Sequence, residues 1–419
     1  ELCDRALTAA GERPLDASDR QLLLARNDVM AAEGLRVLGI AAGAVAQPEE
    51  EALDRLVFAG FVGLMDPPAP GVKATIARLR DAGLRTLMLT GDQRKTAAAV
   101  GRALGLLESE DEVIDGRALR ELRGAEIVPA LARVAAISRV SPEDKLTVVN
   151  ALQAQGEIVA MLGDGVNDAA ALKKADVGVA MGLRGTDVAR EAAAIVLQDD
   201  RFETIGAAVE EGRVVFDNIR KFVFYLFSCN LAEILVLLGA GLANLPPPVL
   251  PLQILWINMV TDSLPALALA MEPGDADVMR RPPRDPGEAI LSRSFLGSVS
   301  LYGALITAST LAGFIWALNY VPVHATTISF MTLALAQVFH LGNARSRSAV
   351  VSARRAVGNP YALGAVGITV ALQVLAVESH GLARVLRVTD LGGREWAVAV
   401  GLSLVPAIIG QALRLGRRR

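Results

Sequence analysis

MLGDGVNDAAALKKADVGVAMG, Met161 to Gly182, is the stretch from which the rest of the chain can be read. An apolar run, Ile158 to Leu162, reads as a buried parallel strand; the chain then breaks at Gly163-Asp164-Gly165 and restarts as a helix near Asn167. A carboxylate between two glycines at the C-terminal end of a strand lies at the rim of an open α/β sheet, where such folds bind ligands. Asp164 and Asp168, with Asn167 between them, offer hard oxygen ligands for Mg²⁺ and an amide able to hold a phosphoryl oxygen. Alone, a Gly-Asp-Gly corner is better explained by solvated acids at an ordinary strand-turn-helix junction. Its partners decide the matter.

Two other segments end in the same way. LRTLMLTGDQ, Leu84 to Gln93, is a buried strand ending in Thr90-Gly91-Asp92, whose hydroxyl and following amides could bind phosphate at the start of a helix over Lys95–Leu104. Ile137 to Val140 is a short strand followed by Ser141-Pro142-Glu143-Asp144-Lys145, with Ser141 as N-cap and Pro142 at the first helical position. Lys145 would then sit in the first turn, where the helix dipole favours anions, so a cation there suits an anionic ligand. Strands alternating with helices predict a doubly wound parallel sheet with its loops at one edge. Hydroxyl, cation and carboxylates at that edge constitute a phosphoryl-transfer site that uses Mg²⁺. Upstream, residues 1 to about 47 read as helix, turn, helix and strand, the last carrying Arg36, by itself a surface charge. A second strand, 57–65, stops at Asp66-Pro67-Pro68, and a helix follows over Gly71–Ala82.

The 419 residues suffice for two or three units. The hydrophobic share of 52% and mean hydropathy of +0.40 are high for a soluble enzyme, and the surplus lies after Phe222. A net charge of −3, without a basic face, gives no support for a nucleic-acid partner. Cys3 and Cys229 are too few for a disulfide framework or a thiolate metal site. Six apolar runs are long enough to cross a bilayer or nearly so: about 222–243, 249–270, 295–318, 326–341, 361–377 and 396–413. Arg280, Arg281, Arg284 and Arg293 in one loop, Arg345, Arg347, Arg354 and Arg355 in another, and the tail Arg417–Arg419 fall on one side of such a bundle. The opposite loops ANLPPP and NYVPVH carry no Lys or Arg, which predicts a cytoplasmic soluble domain and cytoplasmic termini.

Inside the first span, Asn230 and Glu233 are spaced for one helical face; inside the second, Asn258, Thr261 and Asp262 are spaced likewise, beside Pro265. Carboxylates at mid-membrane depth need a partner or a function. Carboxylate, amide and hydroxyl oxygens without sulfur or imidazole suit Ca²⁺ or another hard cation. Gln337 in the fourth span could add a neutral oxygen, whereas His340 reads as a packed polar residue.

A Mg²⁺-dependent phosphoryl domain joined to ion-liganding helices resembles the P-type cation-transporting ATPases, in their calcium-pump-like branch. The resemblance is carried by DPP at 66–68, TGD at 90–92, SPEDK at 141–145, GDGVNDAAALKKAD at 163–176, NLAE at 230–233 and LPLQILWINMVTDSLPA at 250–266. It implies a haloacid-dehalogenase-like phosphorylation domain over 48–212, preceded at 1–47 by the end of a nucleotide-binding domain and followed at 213–419 by six membrane helices. It assigns Asp164 to Mg²⁺, Asn167 and Asp168 to the phosphoryl group and its metal, Lys145 and Thr90 to phosphoryl oxygens, and Arg36 to the phosphates of ATP. Asn230, Glu233, Asn258, Thr261 and Asp262 match the family's cation ligands. Leu162, Ala170 and Gln93 depart mildly from the family pattern, and Gln337 falls where some calcium pumps carry glutamate, which leaves one Ca²⁺ site or another cation open.

No DKTG occurs in the sequence, so the aspartate that forms the family's phosphoenzyme is absent from these residues. By the family pattern its strand is central to the phosphorylation-domain sheet. The expectation is therefore the C-terminal part of an ATP-driven pump in a cell membrane, inactive as an ATPase by itself. The transported ion is expected to be Ca²⁺, with Na⁺, H⁺ or Mn²⁺ as alternatives. A membrane-anchored phosphatase or a non-catalytic ion-binding membrane module are the readings of other classes.

Overall fold

A computed structural model describes residues 2–9, 11–44, 55–64, 67–122, 126–346 and 357–416. Asp66, Arg347, Arg354, Arg355, Arg417–Arg419 and the expected boundary at residues 47 and 48 lie outside the described residues. The chain divides into two units, residues 1–209 with 279–286, and residues 210–278 with 287–419.

The first unit begins differently from the helix expected there. Strands β1 (Cys3–Thr8) and β2 (Gly11–Pro14) form an antiparallel hairpin, and Asp16 then caps helix α1 (Ala17–Ala32) by accepting from the Asp19 amide at 2.8 Å. Strands β3 (Arg36–Ala42) and β4 (Leu56–Leu64) complete a four-stranded sheet in the order β2-β1-β4-β3. The β1–β4 pairing is parallel and spans some fifty residues of sequence, from Cys3 to Leu56, which is why local pattern does not reveal it.

Helix α2 (Val72–Asp81) leads into the alternating part. In order come β5 (Met88–Leu89), α3 (Arg94–Leu104), β6 (Val113–Asp115), α4 (Gly116–Glu121), α5 (Ile127–Arg133), β7 (Ala136–Ser138) and α6 (Pro142–Gln153). These are followed by β8 (Ala160–Gly163), α7 (Ala169–Lys174), β9 (Val177–Met181), α8 (Asp187–Ala192) and β10 (Ile195–Leu197). All the pairings among β5–β10 are parallel, as the β/α alternation predicts. The strands form two three-stranded sheets, β5-β7-β6 and β10-β9-β8, in which β5 and β8 each have one unpaired edge among the described residues. Leu89 of β5 nevertheless packs against both the Met161 and Ala180 cluster and the Ile137 cluster. The strand before the Gly-Asp-Gly turn starts two residues later than its apolar run: Ile158 is 62% exposed.

The second unit is helical. It holds most of α9 (Glu203–Leu242), followed by α10 (Pro251–Trp256), a π turn (Ile257–Asp262) and α11 (Ser263–Ala270). Then come α12 (Arg293–Tyr320), α13 (Ala325–Ala344), α14 (Pro360–Glu378), the short α15 (His380–Leu386) and α16 (Gly393–Gly416). Six helical segments are long and apolar enough to cross a membrane, and each contains or overlaps one of the expected spans. Helix α13 is the core of this unit: every residue from Thr327 to Val338 is buried, against α12 on one side and α16 on another. A helix that is apolar nearly all round can be buried all round.

Candidate functional site

In the first unit the three strand ends are tied together by hydrogen bonds. The Thr90 hydroxyl donates to Asp92 Oδ2 at 2.9 Å and accepts from the Asp92 amide at 3.1 Å, closing a tight turn after β5. The Val140 amide donates to the Thr90 carbonyl and the Arg139 amide to the Asp92 carbonyl, both at 3.0 Å, so this turn is fixed to the chain entering α6. Gly91 is exposed, and a Cβ there would meet nothing within 4 Å. At the start of α6, Ser141 accepts from the Asp144 amide at 3.3 Å, while Asp144 Oδ2 accepts from the Ser141 amide at 2.8 Å, a capping box with Pro142 at its expected position.

Lys145, one residue beyond that box, donates from Nζ to Asp168 Oδ1 at 2.5 Å. The cation set against the helix dipole therefore has a counter-charge supplied by the Gly-Asp-Gly loop, a partner that spacing alone does not reveal. The other Asp168 oxygen accepts from the amides of Asp164 and Gly165, both at 3.2 Å. Asp168 is buried, and Gly163 packs so close that a Cβ there would lie 2.5 Å from Asp168 Cβ. Asp164 and Asn167 are exposed, and no hydrogen bond to either side chain is present among the described residues. Thr90, Asp92 and Lys145 are half-buried. The arrangement is an anchored cation and hydroxyl beside an exposed carboxylate. That donor set fits Mg²⁺, which is commonly held by one or two carboxylates together with substrate phosphates and water. Arg36 lies elsewhere, exposed at the start of β3 opposite Leu64.

Asp200, which the sequence reading passed over, holds the loop after β9. Its carboxylate accepts from the amides of Gly182 (2.7 Å), Leu183 (2.9 Å) and Arg184 (2.8 Å), and these bonds, led by that of Leu183, hold it below the ordinary carboxylate range.

In the second unit, Glu233 of α9 is the centre of a polar cluster. Its Oε1 accepts from Gln337 Nε2 of α13 at 3.0 Å and its Oε2 from Asn258 Nδ2 at 3.1 Å. Asn258 also donates to the Ile254 carbonyl at 3.0 Å. Asn258, Thr261 and Asp262 lie on the π turn rather than on a regular α-helical face, as is common where a helix serves a site. Pro265 has no amide to offer the Thr261 carbonyl, and the Tyr225 hydroxyl donates to that oxygen instead, at 3.3 Å. Both oxygens of Asp262 and Oε1 of Gln337 are buried without a hydrogen-bond partner among the described residues. Asn230 does not join this group. It is exposed, because a spacing of three residues leaves it about 60° round the helix from buried Glu233. His340 is packed as expected, buried among Phe224, Tyr225 and Tyr302 with Nε2 3.0 Å from Ser228 Oγ.

No group of three or more His, Cys, Asp or Glu able to hold a metal is present among the described residues, so a cation in either unit would rely on amide, hydroxyl, carbonyl or ligand oxygens as well.

Comparison with known proteins divides the chain along the same lines. Residues 6–176 match the haloacid dehalogenase-like hydrolase family, and residues 246–416 match the family described as cation transporting ATPase, C-terminus. A calcium-transporting ATPase of Bacillus subtilis is 41% identical over 397 residues, covering 93% of this chain and 44% of the relative. Human calcium-transporting ATPase type 2C member 2 is 36% identical over 96% of this chain and 42% of its own length. A probable cation-transporting ATPase F of Mycobacterium bovis is 40% identical over 83% of this chain and 39% of its own length. The chain thus spans less than half the length of these curated relatives.

Proposed function

We propose, for a chain that belongs to the P-type cation-transporting ATPases, that its second unit holds the transported cation and its first unit the phosphoryl group that drives transport. The observation carrying the reading is the buried Asp262 carboxylate, neither of whose oxygens has a partner among the described residues, in a helical unit built to cross a membrane. A carboxylate in such a place is costly unless a positive charge accompanies it. Glu233, the unpartnered Oε1 of Gln337, Asn258 and the Thr261 hydroxyl would supply the rest of an all-oxygen shell, and Asn230 would enter only by turning toward them. Hard oxygen donors together with the relatives' names favour Ca²⁺. Na⁺ and Mn²⁺ use the same donors and are arms of the test.

In the first unit, Lys145 and the Thr90-Gly91-Asp92 turn would bind and orient phosphoryl oxygens. Exposed Asn167 would join them, Asp168 sets the Lys145 ammonium, and Asp164 is the carboxylate left exposed for Mg²⁺. When bound, Mg²⁺ would neutralise charge developing on the transferred group. We assign residues 1–47 to the end of a nucleotide-binding domain, with Arg36 toward ATP, residues 48–212 to the phosphorylation domain and residues 213–419 to the membrane domain. The arginine-rich loops of the sequence favour a cytoplasmic soluble part with both ends of the chain on that side, and we favour the plasma membrane. Since DKTG is absent from these residues, the chain by itself should not turn over ATP.

The test uses the full-length protein that carries this chain. Phosphoenzyme formation from ATP is followed while Ca²⁺, Mn²⁺ and Na⁺ are titrated separately. Activation at micromolar Ca²⁺, abolished in Asp262→Ala and made independent of the ion in Glu233→Gln, is the expected result. An unchanged ion dependence in both variants would overturn the site.

A further inference from the structure

Gln373 of α14 is fully buried in a segment that is otherwise almost wholly apolar, and it is bonded at both ends to the π turn and its approach. Its Oε1 accepts from Trp256 Nε1 at 3.0 Å, and its Nε2 donates to Thr261 Oγ1 at 3.1 Å. The indole N–H can only donate, so the orientation of the amide is fixed by chemistry: its oxygen faces Trp256 and its two N–H groups face Thr261. Thr261 is then held twice, at its carbonyl by Tyr225 and at its hydroxyl by Gln373.

We infer that Gln373 is a positioning residue for the cation site, setting the direction in which the Thr261 hydroxyl oxygen presents its remaining lone pair. A hydroxyl has two lone pairs and one proton. With one lone pair taken by the Gln373 amide, the other is left for a cation. In a regular helix a threonine hydroxyl can bond the carbonyl three or four residues back, but among the described residues the Thr261 hydroxyl, on the π turn, is held by Gln373 instead. Trp256 completes the relay by preventing the amide from flipping. A leucine would fill the same space but would leave the Trp256 N–H and the Thr261 hydroxyl without this partner. The inference rests on the cation-site reading above.

The experiment measures phosphoenzyme formation from ATP against free Ca²⁺ in the full-length protein, for wild type, Gln373→Met, Trp256→Phe, the double variant and Asp262→Ala. Gln373→Met preserves length and removes both hydrogen bonds. It is expected to raise the half-saturating Ca²⁺ concentration about fivefold, the usual worth of one hydrogen bond to a ligand group, with the maximal phosphoenzyme level within about twofold of wild type. Trp256→Phe should shift the curve the same way by a smaller factor, and the double variant should shift it no further than Gln373→Met alone. A lowered plateau at unchanged half-saturation would mark a packing role only and overturn the inference. So would a half-saturation unmoved in Gln373→Met while Asp262→Ala abolishes the response. Should Gln373→Met not fold, Trp256→Phe carries the test, and an unmoved half-saturation there overturns the inference. A response that survives in Asp262→Ala would instead remove the cation site itself.

Discussion

Within the fold, replacing Lys145 with Met should loosen the Gly-Asp-Gly loop and leave the rest of the first unit as it is. The side chains of Lys145 and Asp168 are 19% and 7% exposed, so their pair at 2.5 Å lies between a surface and a fully buried one. Surface pairs are worth about 0–1 kcal/mol, and removing one partner of a buried pair costs about 3–5 kcal/mol. Without the ammonium, Asp168 keeps only two amide donors, both at 3.2 Å. A cost of about 2 kcal/mol follows, which is roughly thirtyfold in a local opening equilibrium. Hydrogen exchange of the whole chain, followed by mass spectrometry, reads this directly. Peptides covering Asp164–Asp168 should exchange about thirtyfold faster in Lys145→Met, while those covering α2 are unchanged. In Lys145→Met/Asp168→Asn the loss should be smaller than the sum of the single losses, because the second substitution removes the stranded charge. An acceleration below about threefold at the loop, or an equal acceleration throughout the first unit, would refute a local role for the pair.

Gly163→Ala should loosen the same loop from the other side. The added Cβ would meet Asp168 Cβ at 2.5 Å and Cγ at 2.7 Å, and overpacking of this kind costs about 1–3 kcal/mol. An unchanged exchange rate at Asp164–Asp168 would contradict it. Asp200 gives a pH dependence. Three amide donors lower its folded-state value below the ordinary 3.8, so its stabilisation is complete above that value and is lost as pH falls from about 3.8 through the lower folded value. Asp200→Asn should therefore exchange faster at Gly182–Arg184 at neutral pH and show less further acceleration on acidification than wild type. Equal acid sensitivity in the two proteins would exclude this assignment. Glu233→Gln retains a hydrogen-bonding side chain but removes the charge. It should keep the membrane unit folded, by detergent-phase chromatography, while making phosphorylation of the full-length protein independent of the ion.

The strand-turn-helix corner at 163–168 was legible because glycine, a short acid and an apolar run each act locally: sterics, capping and burial require no distant partner. The same holds for Ser141 and Pro142 at the start of α6 and for the six apolar spans, whose signal is length and composition. The helix expected at the start of the chain is a hairpin instead, because β1 and β2 are stabilised by β4, far along the chain, and Cys-Asp-Arg-Ala-Leu-Thr has no alternation of its own. The partner of Lys145 was hidden for a related reason. A lysine in a first helical turn is an electrostatic question, and its answer, Asp168, comes from a different strand end.

Within the membrane unit the legible part was residue type and the illegible part was direction. Asn230 and Glu233 share a helix and a spacing, yet one is exposed and the other buried, since helical neighbours three apart are offset as well as stacked. The π turn carries no periodic signature, and Gln373 in an apolar span reads as a tolerated polar residue until Trp256 and Thr261 are seen on either side of it. What distinguishes the site in three dimensions is the uneven satisfaction of its polar atoms. Glu233 is bonded at both oxygens, Thr261 at carbonyl and hydroxyl, and Gln373 at both ends of its amide, whereas Asp262 is bonded at neither carboxylate oxygen among the described residues. A network meant only to bind helices together gains from satisfying every member, and an unsatisfied carboxylate makes it weaker than an apolar core. Well-bonded surroundings with one unsatisfied acid beside them are the arrangement a cation would complete, which is why Asp262 and not the better-bonded Glu233 is the stronger place to test ion binding.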